Sequence, residues 1–253
     1  MLEENVNVRL YDIGFTSWGA ASPEEEEEEE EKELVSGTCG DNLTWSLKKN
    51  SYGEQILYIN GSGRMTNYSN TGSSKAPWSK YAIHHVIIDK DVESIGEYAF
   101  VNSYEIQSVF QNGTGIIDIG KNAFYNCNKL SDLQISFVDN VGDWAFAKCN
   151  GLKDIDLFVL GNIGKFAFYQ CNNLTTAKIY AFEIESSAFE GCAALETLYL
   201  SSSLYSIGFG AFDGCSALNT IYFDGSKEDW DKIEIKNNNP DFPITFSVYN
   251  PKM

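Results

Sequence analysis

The sequence is short of positive charge, of histidine and of long apolar runs. Its 253 residues hold 18 Lys and Arg against 36 Asp and Glu, with only 2 His. A chain this acidic lacks the Lys/Arg-rich face that neutralises phosphates, which excludes nucleic-acid binding on charge. The same shortage excludes electrostatic attachment to an anionic membrane surface. No stretch approaches the roughly 18 apolar residues of a membrane span, so no membrane insertion is expected in this segment. No basic-then-apolar run at the N-terminus marks a signal peptide. Catalytic signatures are missing as well. There is no Gly-x-Ser-x-Gly elbow, phosphate loop, dinucleotide fingerprint or Cys-x-x-Cys pair. The histidines are neighbours, His84 and His85, and adjacent strand residues face opposite sides, so a shared metal is not expected. Asp132 and Asp154 occupy equivalent places in the pattern below, about 5 Å apart if stacked like neighbouring strands. A glycosidase would need such a pair in a deep cleft. The expectation is a protein that is no enzyme and takes no cofactor and no metal.

What is there begins with apolar and aromatic residues at 43% and 14%, too many for a disordered chain. The net charge of -18 is unevenly spread. Residues 1–34 hold 12 acidic and 2 basic side chains, most of them in the unbroken run Glu24 to Glu31 after Pro23. Like charges in a row repel and leave no apolar face to bury, which reads as a solvated linker. The alternative, a calcium-binding tract, would need oxygens held at defined spacing by a loop. Before the linker, Asn5 to Tyr11 alternates like a lone short strand, the possible end of a preceding domain in a larger protein.

An Ala-Phe pair then recurs at Phe100, Phe124, Phe146, Phe168, Phe189 and Phe212, with spacings of 24, 22, 22, 21 and 23. Other columns move with it. Three residues after Phe stands Cys127, Cys149, Cys171, Cys192 or Cys215, with Ser103 in the first unit. Six after stands an aliphatic, Ile106 to Leu218, and nine after another, Val109 to Ile221 (Ala177 in the fourth unit). Five before stands Ile or Val, followed by Gly everywhere except at Glu185. A period near 22 is the mark of a solenoid whose units bury their edges only by stacking. The Leu-x-x-Ile-x-Leu segment suits a short strand, stacking in parallel from unit to unit. The Ile-Gly turn bends the chain away, and Ala-Phe brings it back with Phe filling the coil. No 10–12-residue helical pattern of the ankyrin or tetratricopeptide kind is present. Ile83, Val86 and Ile88 supply a seventh strand.

Both ends read as caps. Trp45, Leu47, Ile56, Tyr58 and the Gly61/Gly63 turn predict two or three short antiparallel strands. Ser226 with Asp229 predicts a capped short helix. Trp230 and Ile233 would close the end of the core, and Ile244, Phe246 and Val248 a final strand. The expected division is an acidic disordered leader over 1–35, a β-rich cap over 36–80, the solenoid over 81–224 and a C-terminal cap over 225–253.

The pattern Ile-Gly-x-x-Ala-Phe-x-x-Cys-x-x-Leu-x-x-Ile-x-Leu resembles the BspA-like leucine-rich repeat of bacterial and protist surface proteins. Ser36 to Leu47, Gly61 to Met65 and Pro77-Trp78 resemble the leader of such repeats in gut-anaerobe proteins, and Gly225 to Ile235 their usual ending. The resemblance covers about residues 36–250. Ser103, Glu185 and a longer first unit around Asn112 to Gly115 depart from it. It implies a cell-surface or secreted location and adhesion or binding to a host or surface protein, with a glycan as another partner.

Five of the six cysteines fill one column, where Cys behaves as a small hydrophobe and stacked side chains are poorly placed for a disulfide. Cys39 reads as a core residue of the cap. The outward face of the strand ribbon is the candidate site. Among the residues ten after each Phe are Phe110, Lys178, Tyr199 and Tyr222, and among those twelve after are Phe158 and Tyr180. Exposed apolar patches mark binding sites, although aromatics also favour strands for their own sake. A structural spacer that projects other domains is the competing role. Asn42, Asn60, Asn67, Asn112 and Asn173 stand in Asn-x-Ser/Thr sequences, which matter only where secreted proteins are glycosylated.

Overall fold

The computed structural model describes residues 32–113, 115, 117–135, 137–240, 242 and 244–246. The chain divides into residues 1–30 and a unit from Glu31 to Met253, and every described residue lies in the second. The Asn5–Tyr11 strand, the Glu24–Glu31 linker and Val248 fall outside the described residues.

Three strands open the unit: β1 (Lys32–Thr38), β2 (Leu43–Lys49) and β3 (Gln55–Gly61), paired antiparallel as the alternation predicts. β1 starts inside the segment expected to be leader. Pairing with β2 runs from Lys32 to Thr38, and Val35 packs on the core. The two-residue β4 (Gly63–Arg64) follows.

Each coil then contributes two strands. β5 (Ile83–Ile88) and β6 (Val92–Ile95) form the entry coil. Next come β7 (Ser108–Gln111) with β8 (Ile117–Ile119), β9 (Asp132–Gln134) with β10 (Phe137–Val141), and β11 (Asp154–Val159) with β12 (Asn162–Ile163). β13 (Thr176–Tyr180) with β14 (Glu183–Ile184), β15 (Thr197–Ser201) with β16 (Ser206–Ile207), and β17 (Thr220–Asp224) complete the regular part. The helix α1 (Lys227–Trp230), β18 (Glu234–Ile235) and β19 (Ile244–Phe246) close it. The seven expected face strands are therefore present, all paired in parallel where they meet.

Two features go beyond the sequence reading. First, the Ile-Gly segment is itself a strand. β6, β8, β10, β12, β14, β16 and β18 form a second parallel ribbon at the back. β10 turns the corner: Phe137 and Val138 pair with β11 on the face, while Val141 pairs with Ile163 at the back. Second, the cap is continuous with the stack, because β3 pairs in parallel with β5 in one sheet ordered β1-β2-β3-β5-β7-β9.

The third side of each coil carries Ala-Phe and is built from left-handed backbone. Two residues before each Phe, φ is +55 to +60° at Tyr98, Asn122, Trp144, Phe166, Ser187 and Gly210. Two residues after, φ is positive again at Asn102, Asn126, Lys148, Gln170, Gly191 and Gly214. Alternate N–H groups then point along the stack. Tyr98, Phe100 and Asn102 donate to the carbonyls of Lys121, Ala123 and Tyr125, and the pattern repeats coil by coil. This third ladder uses conformations that favour Gly and Asn and are costly for bulky residues.

The core follows the columns. All six Phe rings are fully buried and stack face to face with centroids 4.9–5.3 Å apart and planes within 9°. Trp78 stacks on Phe100 at one end and donates its indole N–H to the Ala99 carbonyl. Phe242 meets Phe212 edge-on at the other, next to Trp230. The Gly after each Ile has a steric cause: a Cβ at Gly142 would lie 2.7 Å from the Lys121 N, and one at Gly208 2.4 Å from the Ser186 N. At Glu185, the exception, burial and then Asp143 and Glu183 push the carboxyl above its usual range.

All six cysteines are buried and free. Each column thiol donates to the Phe carbonyl of the preceding coil, from Cys127 to Phe100 at 3.1 Å through Cys215 to Phe189 at 3.2 Å. A small apolar side chain with a weak donor fits this place, which gives the column its physical reason.

Candidate functional site

Outward residues of the face strands lie in rows set by the parallel register. One row runs Asp154, Thr176, Thr197, Thr220, and the next Asp156, Lys178, Tyr199, Tyr222. Phe158 pairs with Tyr180 in a third, and Phe137 of β10 joins Phe158. The rings use this stacking. Tyr199 and Tyr222 lie 4.8 Å apart at 19°, and Phe158 and Tyr180 5.5 Å apart at 24°. Phe137 leans on Phe158 at 5.5 Å and 57°. Lys178 reaches the Asp156 carboxylate at 3.1 Å.

Of the six expected residues, Phe158, Lys178, Tyr180, Tyr199 and Tyr222 thus share four neighbouring strands. Phe110 stands apart. It belongs to the first sheet, between Ile87 and Gln134. Phe137 escaped the sequence reading because it begins a strand that turns the corner, one place out of the column. Leu160, Phe182 and Tyr205 were missed for a related reason. They stand at the corner leading into the back ribbon, beyond the end of the alternating strand pattern. Phe182 is 46% and Tyr205 56% exposed. The Phe182 N–H donates to Gly161 and the Tyr205 N–H to Phe182, so these corners stack too. The Tyr205 hydroxyl donates to Glu183 at 3.2 Å, which pushes the phenol above its usual range.

A second ring cluster lies on the left-handed side. Trp144 stacks on Phe166 at 4.3 Å, with Tyr169 edge-on at 5.3 Å and Tyr125 at 6.3 Å. These rings pack mainly on one another, and the charges beside them alternate in sign: Glu97, Lys121, Asp143, Lys165.

The histidines are both engaged. His84 Nδ1 accepts the Gln55 N–H at 3.0 Å. His85 Nδ1 lies 2.8 Å from Ser108 Oγ and Nε2 3.3 Å from Glu54 Oε2. A hydrogen bond from Asn50, then the two histidines, hold Glu54 below the usual carboxylate range despite partial burial. Ser, His and Glu stand in line here, but Ser108 is 6% exposed and lies beneath the imidazole. The cluster pins the cap to the first coil. Asp132 accepts from Gln134 at 3.0 Å and Asp154 from Thr175 at 3.3 Å.

The repeat columns, with their Phe stack, thiol ladder and Gly contacts, coincide with a family model for the BspA type leucine rich repeat region, which matches residues 74–181 and 159–238 in six copies. The chain belongs to the BspA-type leucine-rich-repeat family. Solved structures to which the BspA-type chain is similar include a leucine-rich repeat protein from Eubacterium ventriosum, 17% identical over 75% of this chain and 72% of that one, TM-score 0.43. The leucine-rich repeat protein TpLRR of T. pallidum is 20% identical over 69% and 87%, TM-score 0.46. A leucine rich cell surface protein from Faecalibacterium prausnitzii is 15% identical over 83% and 99%, TM-score 0.34. No curated protein matches the chain. Among the described residues, no helix is long and apolar enough to cross a membrane.

Proposed function

We propose that this chain is a non-enzymatic, surface-exposed or secreted binding protein, and that it holds a protein partner on the face ribbon and its corner. One observation carries the reading. Inside the coils the Phe column repeats six times, whereas outside, on β11 to β17, two of the three rows change from coil to coil and gather aromatic rings. Phe158 is 43% exposed, and its neighbours Tyr180, Tyr199 and Tyr222 are only half-buried. A fold needs no such rings in water, and binding surfaces are enriched in them. Threonine beside tyrosine, as in Thr176, Thr197 and Thr220, resembles the hydroxyl-and-tyrosine mixture that protein-binding loops use. Strands make this surface preformed, so little ordering is lost on binding. The working division remains a leader, a cap over 36–80, the stack over 81–224 and an end cap over 225–253, with the first strand reaching back to Lys32.

The test is a binding screen of the full chain against extracellular proteins and glycans. The double variant Tyr180→Ala/Tyr199→Ala should lose a protein partner by about 100-fold with an unchanged circular-dichroism spectrum. A partner that binds the variant as well as the parent would place binding elsewhere. No partner from either library favours the spacer.

A further inference from the structure

We infer that the partner of the face ribbon presents a basic, Lys/Arg-rich protein segment to it. This rests on the binding reading above and adds the chemistry of the other side. On and beside the face stand Asp132, Asp154, Asp156, Glu196 and Asp224, with Lys153 and Lys178 as the basic side chains among them. Lys178 already lies 3.1 Å from Asp156, so it tempers one carboxylate rather than the whole surface. On the left-handed side, by contrast, the column Glu97, Lys121, Asp143, Lys165 alternates in sign.

The acidic groups also sit among rings. Asp156 and Phe158 stand two apart on β11, and Tyr222 and Asp224 two apart on β17, so each carboxylate shares the outward face with a ring beside it. An Arg or Lys head beside such a pair gains twice: it lies over a ring face and it meets a carboxylate. A neutral glycan would have no use for the charge excess, and a nucleic acid would be repelled by it. Complementary potential also speeds encounter and rejects acidic competitors.

The Glu24–Glu31 run could attract basic peptides by itself, so the experiment separates the two. A random peptide display library is selected on the full chain. Dissociation constants are then measured for the parent, for Asp154→Asn/Asp156→Asn/Asp224→Asn, for Tyr180→Ala/Tyr199→Ala, and for a variant with Glu24–Glu31 replaced by Gln. Selected peptides should be Lys/Arg-rich. The triple Asn variant should weaken them about tenfold, as should raising salt from 0.05 to 0.5 M, and the Gln variant should leave them unchanged. The salt titration of the Gln variant leaves the face unsubstituted, so it decides even where a face variant misfolds. Neutral or acidic peptides that lose binding in the Tyr variant would overturn this inference while the face remains a binding site. Basic peptides lost only in the Gln variant would overturn it too. Peptides indifferent to the Tyr and Asn variants alike, or no selected peptide at all, would count against the face itself.

Discussion

The interior and the face of this solenoid treat their aromatic residues in opposite ways. Inside, one residue type fills one place six times, and the rings from Phe100 to Phe212 stack within 9° of parallel. Outside, the row Asp156, Lys178, Tyr199, Tyr222 never repeats a side chain until its last step, yet it obeys the same register. The difference separates two kinds of selection. Repetition marks what stacking requires, since each coil must fit both neighbours. Irregularity at a place that faces water marks what stacking leaves free, and that is where a partner can be specified.

The thiol column gives the largest effect. Burial pushes Cys39 up to about 12 and Cys127, Cys149, Cys192 and Cys215 well above the usual thiol value. An unfolded thiol titrates near ~8.5, so the folded chain binds protons that the unfolded chain releases. Stability is then full below about pH 8.5 and falls as pH rises toward the folded values, by about 1.4 kcal/mol per pH unit for each such thiol. Denaturant midpoints at pH 8 and pH 10 should drop steeply, and Cys149→Ala/Cys192→Ala should flatten the slope. An equal slope in that variant would remove the thiols as its cause.

The next contrast sets the two regions directly against each other. Phe168→Ala should cost about 3–5 kcal/mol, because it opens a cavity between two rings. Tyr199→Ala should cost under about 1 kcal/mol, since its ring keeps one side in water. Urea unfolding at pH 7 measures both, and equal costs would dissolve the distinction.

Much of this was legible in the sequence, and the reasons are physical. The Phe, Cys, Leu and Ile columns are periodic because burial forces them to be, so the solenoid, the seven face strands and the capped helix could be read. The back ribbon was not, because a two-residue strand such as Asn162–Ile163 leaves one apolar residue and no alternation to detect. The left-handed ladder was hidden for another reason. Asn122, Asn126, Gly191 and Gly210 hint at it, but Trp144 and Phe166 occupy the same backbone and suggest nothing of the kind. The site was half legible: the register gave Tyr199 beside Tyr222, while the corner at Phe137, Leu160 and Phe182 needed coordinates. Gly210→Ala probes the hidden ladder. Its Cβ would only touch Asn238 at 3.4 Å, so the cost of about 1 kcal/mol comes from φ +60°. The loss should show in urea midpoints and vanish for Ala at a place of negative φ.

The smallest effect lies where the stack ends, at the capped turn of α1. Ser226 Oγ accepts the Asp229 N–H at 3.2 Å, and the Asp229 carboxylate accepts the Ser226 N–H, also at 3.2 Å. Lys232 donates to the same carboxylate at 2.8 Å. The Lys232 bond, then those from Ser226, hold Asp229 down to about 2. Because the folded value is depressed, the cap is complete above the unfolded value of about 3.9 and is lost as pH falls through about 2. A carboxyl NMR titration should place the Asp229 midpoint near 2 in the parent and move it upward in Lys232→Gln. A parent midpoint near 3.9 would mean that the turn is open in solution. The stack would then end on Trp230 and Phe242 alone, closed by edge-on ring contacts where its interior uses face-to-face ones.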